Sequence, residues 1–332
     1  MFFLLGLSIL LAALLVLNTG ASLASFLVWR VFRVRVASWT INRQVETLFW
    51  MRTAPVVLGS CAVLFLLAPA YLRHEPRVGH EDVSVKLGML AVLSAIVIAV
   101  AAVRGIATWR MTSRLTAQWL SKAEPIQLPN LDLPAYQVPH AFPLIAVVGA
   151  FRPRLFIARQ VVENLSPAEL KAALEHETGH LLAHDNLKRA IVRVCRDLAL
   201  VPGSGRLDRA WLEASEAAAD EYAARRDRRF GLDLAAALVK IARMVPPGAR
   251  PAMIAGAFLA NVDGDLGVNS RVRQLVRLSD QIHERPVHAT RVSQFSKLIP
   301  IAVCLLFIAL TTEIQVLPTV HSVIEHAVYF LD

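Results

Sequence analysis

The sequence predicts a mainly α-helical, polytopic membrane protein with about four transmembrane helices and one mostly helical domain that contains a small β-hairpin. Three observations carry that expectation. Of the 332 residues, 55% are hydrophobic and only 18% charged, too apolar for an ordinary water-soluble domain of this length. The apolar residues gather into long runs at 2–29, 53–72, 85–103 and 298–317, each able to cross a hydrocarbon core about 30 Å thick. Charge concentrates elsewhere: residues 104–297 hold 27 of the 35 lysines and arginines. The expected organisation is three membrane helices in 1–103, a separate domain in 104–297, and a fourth membrane helix with a short tail in 298–332.

Basic residues set the orientation. Between the first two runs stand Arg30, Arg33, Arg35, Arg43 and Arg52 against the single acid Glu46, so that loop is expected in the cytosol. The next loop balances Arg73, Arg77 and Lys86 with Glu75, Glu81 and Asp82, as an external loop does. Arg104, Arg110, Arg114 and Lys122 return the chain to the cytosol, and beyond Lys297 there is no lysine or arginine. The domain is therefore expected to be cytosolic and both termini external, in a membrane of the bacterial inner (cytoplasmic) type. The first run has no basic leader and exceeds a signal peptide's apolar core. The net charge of +9 follows from the same bias and from attraction to anionic lipid, so the bilayer is one expected partner. Nucleic acid is not: the densest basic run, Arg225-Arg226-Asp227-Arg228-Arg229, has no interleaved aromatic platform. A transporter is disfavoured because the runs hold few ionisable residues and show no repeat. Cys61, Cys195 and Cys304 are too few and too scattered for a disulfide framework or a zinc knuckle.

Within the domain, Pro125, Pro129, Pro134, Pro139 and Pro143 exclude a long helix and predict an extended linker. The short apolar runs 144–148 and 155–158, separated by Gly149 and Pro153, predict a β-hairpin. An exposed edge of that hairpin can take an extended peptide as one more strand. Ser166-Pro167-Ala168-Glu169 combines an N-cap serine, a proline at the first helical position and a capping-box glutamate, so a helix starts at Pro167 and runs to about Leu187. Helix continues over 187–201 until Pro202-Gly203-Ser204-Gly205 turns the chain back toward a helix at 211–229. An amphipathic helix at 233–244, a short apolar segment at 252–260 and an arginine-bearing segment at 270–278 follow.

The first of these helices carries His176-Glu177-Thr178-Gly179-His180. Two imidazoles one turn apart leave the same helix face and can grip one ion, which this pattern makes Zn2+. Glu177 then lies beside the ion, placed to take a proton from water whose pKa zinc lowers toward about 7. A closed tetrahedron needs another protein ligand from a second helix. In 211–229, Glu216 and Asp220 share a face among small alanines; Glu216 is assigned to the metal, and Asp220 to a histidine ring N–H, fixing its tautomer. Gly179 inside a helix predicts close approach of another element. His184 is not expected to ligate, because three histidines on one helix do not converge on one tetrahedral ion.

His176-Glu177-x-x-His180 followed by Glu216-x-x-x-Asp220, with Phe151-Arg152-Pro153-Arg154-Leu155-Phe156-Ile157 and Leu165-Ser166-Pro167-Ala168-Glu169-Leu170 upstream, resembles membrane-embedded gluzincin peptidases over about 141–278. Two branches are similar: the BlaR/MecR type, whose founding members sense β-lactams and bring about loss of a repressor, and the HtpX and CAAX-prenyl endopeptidases. The resemblance implies that His176, His180 and Glu216 are ligands and Glu177 the base. Asp185 resembles an acidic position of these families, and Arg271 a position near the site in the HtpX branch. BlaR/MecR transducers carry a penicillin-binding domain after their last membrane helix, which the residues following Leu317 do not provide, so β-lactam sensing by this polypeptide alone is not expected. Tyr222, Arg271, His283 and His288 are the candidates for stabilising the transition-state oxyanion. The expected function is hydrolysis, by an integral-membrane zinc-dependent endopeptidase, of a cytosolic or membrane-proximal protein such as a regulator or repressor, with a separate sensor or regulator protein as a further partner. The alternative is a non-catalytic signalling module of the same fold that sequesters a regulator.

Overall fold

The computed structural model describes residues 1–76, 83–128, 133–227, 229–245, 265–282, 302, 305–306, 308–311 and 316–331. The described chain is mainly helical, with three helices long and apolar enough to cross a membrane and one four-stranded sheet. It divides into two compact units, one comprising Met1–Gly105, Ile191–Trp211 and Arg291–Asp332, the other Ile106–Ala190 and Leu212–Thr290.

In the first unit, α1 (Phe2–Ala37) packs antiparallel to α2 (Ile41–Ala62), which passes through one π-helical turn at Val63–Leu67 into α3 (Ala68–His74). Pro69 explains the wide turn: it has no N–H to donate, and its ring needs the extra room. Helix α2 begins at Ile41, well before the apolar run, because Arg43, Glu46 and Arg52 continue the helix beyond its apolar part. Small residues let the helices meet. A Cβ on Gly59 would fall 2.3 Å from Asn18 Oδ1, and one on Gly6 would fall 2.5 Å from the Tyr71 ring. The Tyr71 hydroxyl donates to the Phe2 carbonyl at 2.7 Å, and Ser25 Oγ to the Met51 carbonyl at 2.6 Å. The third apolar run lies in α4 (Val85–Leu120).

The end of α4 belongs to the second unit, where Trp119 meets Phe156 edge-on at 5.2 Å. The sheet has the order β1–β2–β4–β3, with β1 (Glu124–Ile126), β2 (Ala135–Val138), β3 (Ile145–Val148) and β4 (Arg154–Ala158). The expected hairpin is β3 and β4, antiparallel, with Val148 opposite Arg154. The expected linker is corrected: it supplies β2, parallel to β4, and β1, antiparallel to β2. Its prolines are compatible with strands because Pro125 lies in an edge strand, while Pro134, Pro139 and Pro143 fall outside the strands.

Helices α5 (Arg159–Asn164), α6 (Pro167–Leu182), α7 (Asp185–Asp197), α8 (Gly205–Arg226), α9 (Phe230–Met244) and α10 (Asp265–Ile282) follow. The capping box is complete: Ser166 Oγ accepts from the Glu169 N–H, and Glu169 Oε2 accepts from the Ser166 N–H. Helix α6 ends at Leu182 and not near Leu187, because His184 takes a left-handed conformation (φ 56) and starts a new helix. Ala172 and Ala173 of α6 are buried in one core with Ile145, Phe156 and Ile157 of the sheet and Leu234, Leu238 and Ile241 of α9. Helix α6 is thus held between sheet and helices.

The apolar run 298–317 and the segment 252–260 lie largely or wholly outside the described residues. The expected short tail forms α11 (Val316–Leu331), whose Leu317 and Ile324 are buried with Leu5, Ile9 and Tyr71 of the first unit.

Phe156 is fully buried and stacks on Tyr136 at 5.6 Å. Phe156→Ala is expected to cost the second unit about 3–5 kcal/mol. Hydrogen exchange checks it: strands β3 and β4 lose protection while α1 and α2 keep theirs.

Candidate metal centre

Helix α6 turns His176, Glu177 and His180 to its buried side, at 0%, 2% and 4% exposure. Gly179 on the same helix meets α8: a Cβ there would fall 3.2 Å from Ala219 Cα and 3.2 Å from the Tyr222 ring. That close approach brings Glu216 back to the histidines. Glu216 Oε2 lies 3.7 Å from His176 Nε2, and Glu216 Oε1 lies 3.5 Å from His180 Nε2. The three donor atoms lie within 4.8 Å of one another and can hold a metal ion. Bonds of about 2.0–2.1 Å put tetrahedral donors about 3.4 Å apart, so the set fits with little adjustment. A second observation supports the fit. His176 Nε2 and His180 Nε2 are buried without a hydrogen-bond partner among the described residues, a costly state unless an ion meets them.

The other nitrogen of each ring faces an acid. Asp220 Oδ1 is 2.9 Å from His176 Nδ1, and Asp185 Oδ2 is 2.7 Å from His180 Nδ1. The break at His184 serves this geometry, because it lets α7 start with Asp185 folded back under His180. Two arginines complete the shell. Arg271 donates through Nε and Nη2 to the two Asp220 oxygens at 2.9 and 2.7 Å, and its Nη1 lies 3.3 Å from Glu216 Oε2. Arg189 Nη2 donates to Glu216 Oε1 at 3.0 Å.

Glu177 Oε2 accepts from the Val147 N–H at 3.1 Å, while its Oε1 is buried with no hydrogen-bond partner among the described residues. Asn186 Nδ2 donates to the Val147 carbonyl at 2.8 Å. Strand β3 is an edge strand, but at Val147 its backbone groups are engaged by side chains of α6 and α7. Leu133, Val147, Leu155, Leu174 and Leu181 pack around Glu177 and Thr178 and leave no room there for a water molecule.

The remaining expected residues fall elsewhere. The Tyr222 hydroxyl accepts from Arg226 Nη2 at 2.6 Å, one turn along α8. His184 is exposed, its Nδ1 3.0 Å from the Leu181 carbonyl oxygen. His283 and His288 lie outside the described residues. Sequence reasoning missed Arg189, Asn186 and Val147. The available signal for Arg189 was its position four residues after Asp185, which puts both on one helix face.

Burial disfavours every charge here, and neighbours decide which survive. Burial raises the Glu177 carboxyl to about 7, despite His180 and the Val147 N–H. Burial opposes the His180 imidazolium, but Glu216 and Asp185 outweigh it and lift its pKa to about 10. His176 is lowered by burial, with Asp220 pulling the other way. Burial works against ionised Glu216, yet His180, Arg271 and His176 hold its pKa well below the usual value. Against the same burial, Arg271 and His176 hold Asp220 at about 2.

At neutral pH the metal-free site therefore keeps a proton on His180 and shares one on Glu177. A dication needs the His180 lone pair and favours ionised Glu177, so binding expels both protons where both are present. Below about pH 6, where Glu177 and His180 both carry protons in the metal-free site and zinc-bound water does not ionise, release is expected to be about two protons. Calorimetric titration with Zn2+ in buffers of different ionisation enthalpy measures it. Glu177→Gln is expected to release about one proton there.

Residues 110–205 match the model of Peptidase family M48. No curated protein matches the chain. The matched stretch contains His176, Glu177 and His180 and ends where α8 begins, before Glu216. Glu216 thus rests on geometry alone. Over that stretch the chain is similar to a metallopeptidase family, which together with its three long apolar helices supports a membrane metallopeptidase.

Proposed function

We propose that this protein is an integral-membrane, zinc-dependent endopeptidase that hydrolyses a cytosolic or membrane-proximal protein, of the kind a regulator or repressor represents. The observation that carries the reading is the convergence of His176 Nε2, His180 Nε2 and the Glu216 carboxylate, all buried, beside a Glu177 oxygen with no hydrogen bond. Nitrogen and oxygen donors without thiolate suit catalytic rather than structural zinc. When bound, zinc supplies a Lewis acid that acidifies water and polarises a carbonyl.

The chain's own residues then have separable tasks. Asp220 and Asp185 fix the rings of His176 and His180, so that each offers Nε2. Glu177 Oε1 accepts a proton from the attacking water and returns it to the leaving amine. Burial raises this carboxyl to about 7 in the metal-free site and a bound dication lowers it again, so the ionised form is the one that meets the water. The lysine and arginine bias of residues 104–297 supports a cytosolic face for the site.

Glu177→Gln preserves shape and removes the base. The variant is expected to retain zinc and to lose about 10²–10⁴-fold in cleavage rate. Metal analysis of the detergent-purified protein, with mass spectrometry of protein termini in cells carrying either form, makes the test. Wild-type protein that binds no zinc under replete conditions, or a variant that generates the same new termini, overturns the reading.

A further inference from the structure

We infer that Arg189 is the side chain that stabilises the developing oxyanion of the substrate carbonyl, an inference that rests on the proposed hydrolytic function. Two arginines touch the Glu216 carboxylate, one on each oxygen, and they are held very differently. Arg271 is locked by two hydrogen bonds to buried Asp220. Arg189 reaches the cluster only through Nη2 on Glu216 Oε1, and its Nε is buried without a hydrogen-bond partner among the described residues.

Glu216 Oε1, the oxygen that Arg189 contacts, is the one facing His180 Nε2, at 3.5 Å, while Oε2 faces His176 Nε2 at 3.7 Å, so Arg189 stands at the His180 side of the donor set. A guanidinium keeps its charge at any working pH and presents five donors in a planar fork. With Arg271 committed to Asp220, Arg189 is, among the described residues, the cation at the donor set with a buried N–H that has no hydrogen-bond partner. Negative charge that gathers on a carbonyl oxygen during attack by water is the one new anion the reaction makes there.

The test uses zinc-loaded, full-length protein in detergent, with fluorescently labelled casein as substrate and inorganic phosphate as a tetrahedral oxyanion probe. Arg189→Met is expected to bind zinc at the wild-type stoichiometry when zinc is saturating, the condition under which its kinetics are read. Its kcat should fall by about 100-fold with KM little changed, and phosphate binding measured by calorimetry should weaken by a similar factor. Arg189→Lys should recover part of both. If Arg189→Met instead loses zinc affinity while kcat at saturating zinc is unchanged, Arg189 only positions Glu216 and the inference is overturned. It is equally overturned if neither kcat nor phosphate affinity moves. Should wild-type protein bind zinc and cleave nothing, the hydrolytic reading itself fails, and the phosphate measurement still decides whether Arg189 holds an oxyanion.

Discussion

Glu177, Asp185, Glu216 and Asp220 are four carboxylates buried around two imidazoles, and taking so many ionisable acids out of water costs several kcal/mol for each that stays charged unless cations meet it. Arg189 and Arg271 meet part of the charge. With neutral histidines and every acid ionised, two negative charges remain, and a divalent cation cancels them. The two groups raised toward protonation at neutral pH, His180 and Glu177, are the ones that make up this deficit in the metal-free protein. The same constraint explains why breaking any one member is expected to disturb the others: each charge is tolerated only because its neighbours are present.

The packing makes that cluster attainable. A carboxylate on one helix reaches imidazoles on another only if the backbones approach closely, and Gly179 opposite Ala219 removes the side chains that would keep α6 and α8 apart. The complete capping box fixes where α6 begins, and the left-handed His184 fixes where it ends. A non-glycine residue in that conformation is unfavourable by about 1 kcal/mol or more. What it achieves is visible in the Asp185 contact with His180, which an unbroken helix would have carried around and away from the ring.

Much of this was legible in the residues because it depends on local pattern. The first three apolar runs, the cap at Ser166, and the one-turn spacing of His176 and His180 are short-range signals, and the structure has helices where they point. Glu216 was reachable because its helix carries alanines at the positions where Gly179 asks for a close neighbour. Strands β1 and β2 were not, since prolines 125 to 143 suppress helix and strand patterns alike, and only pairing with β4 makes those segments strands. The end of α6 was misplaced because nothing local in Ala183-His184-Asp185 forbids helix; the break is set by tertiary contacts. Arg189 reads locally as an ordinary basic position on an amphipathic helix. Its contact with Glu216 comes from helices separated by a long turn, which no spacing rule records.

The sheet supplies a further link between fold and chemistry. A four-stranded sheet has two edges whose open backbone groups must be blocked or paired. At β1 the block is Pro125, which has no N–H to offer. At β3 it comes from side chains: Glu177 takes the Val147 N–H and Asn186 takes its carbonyl. Closing the edge in this way orients Glu177, because one carboxylate oxygen is fixed by the sheet while the other is buried without a hydrogen-bond partner among the described residues. An alanine at 177 would therefore remove more than the proposed base: it would reopen the strand edge at Val147. Glutamine keeps an acceptor for that N–H, and so separates the chemical role of the side chain from its structural one.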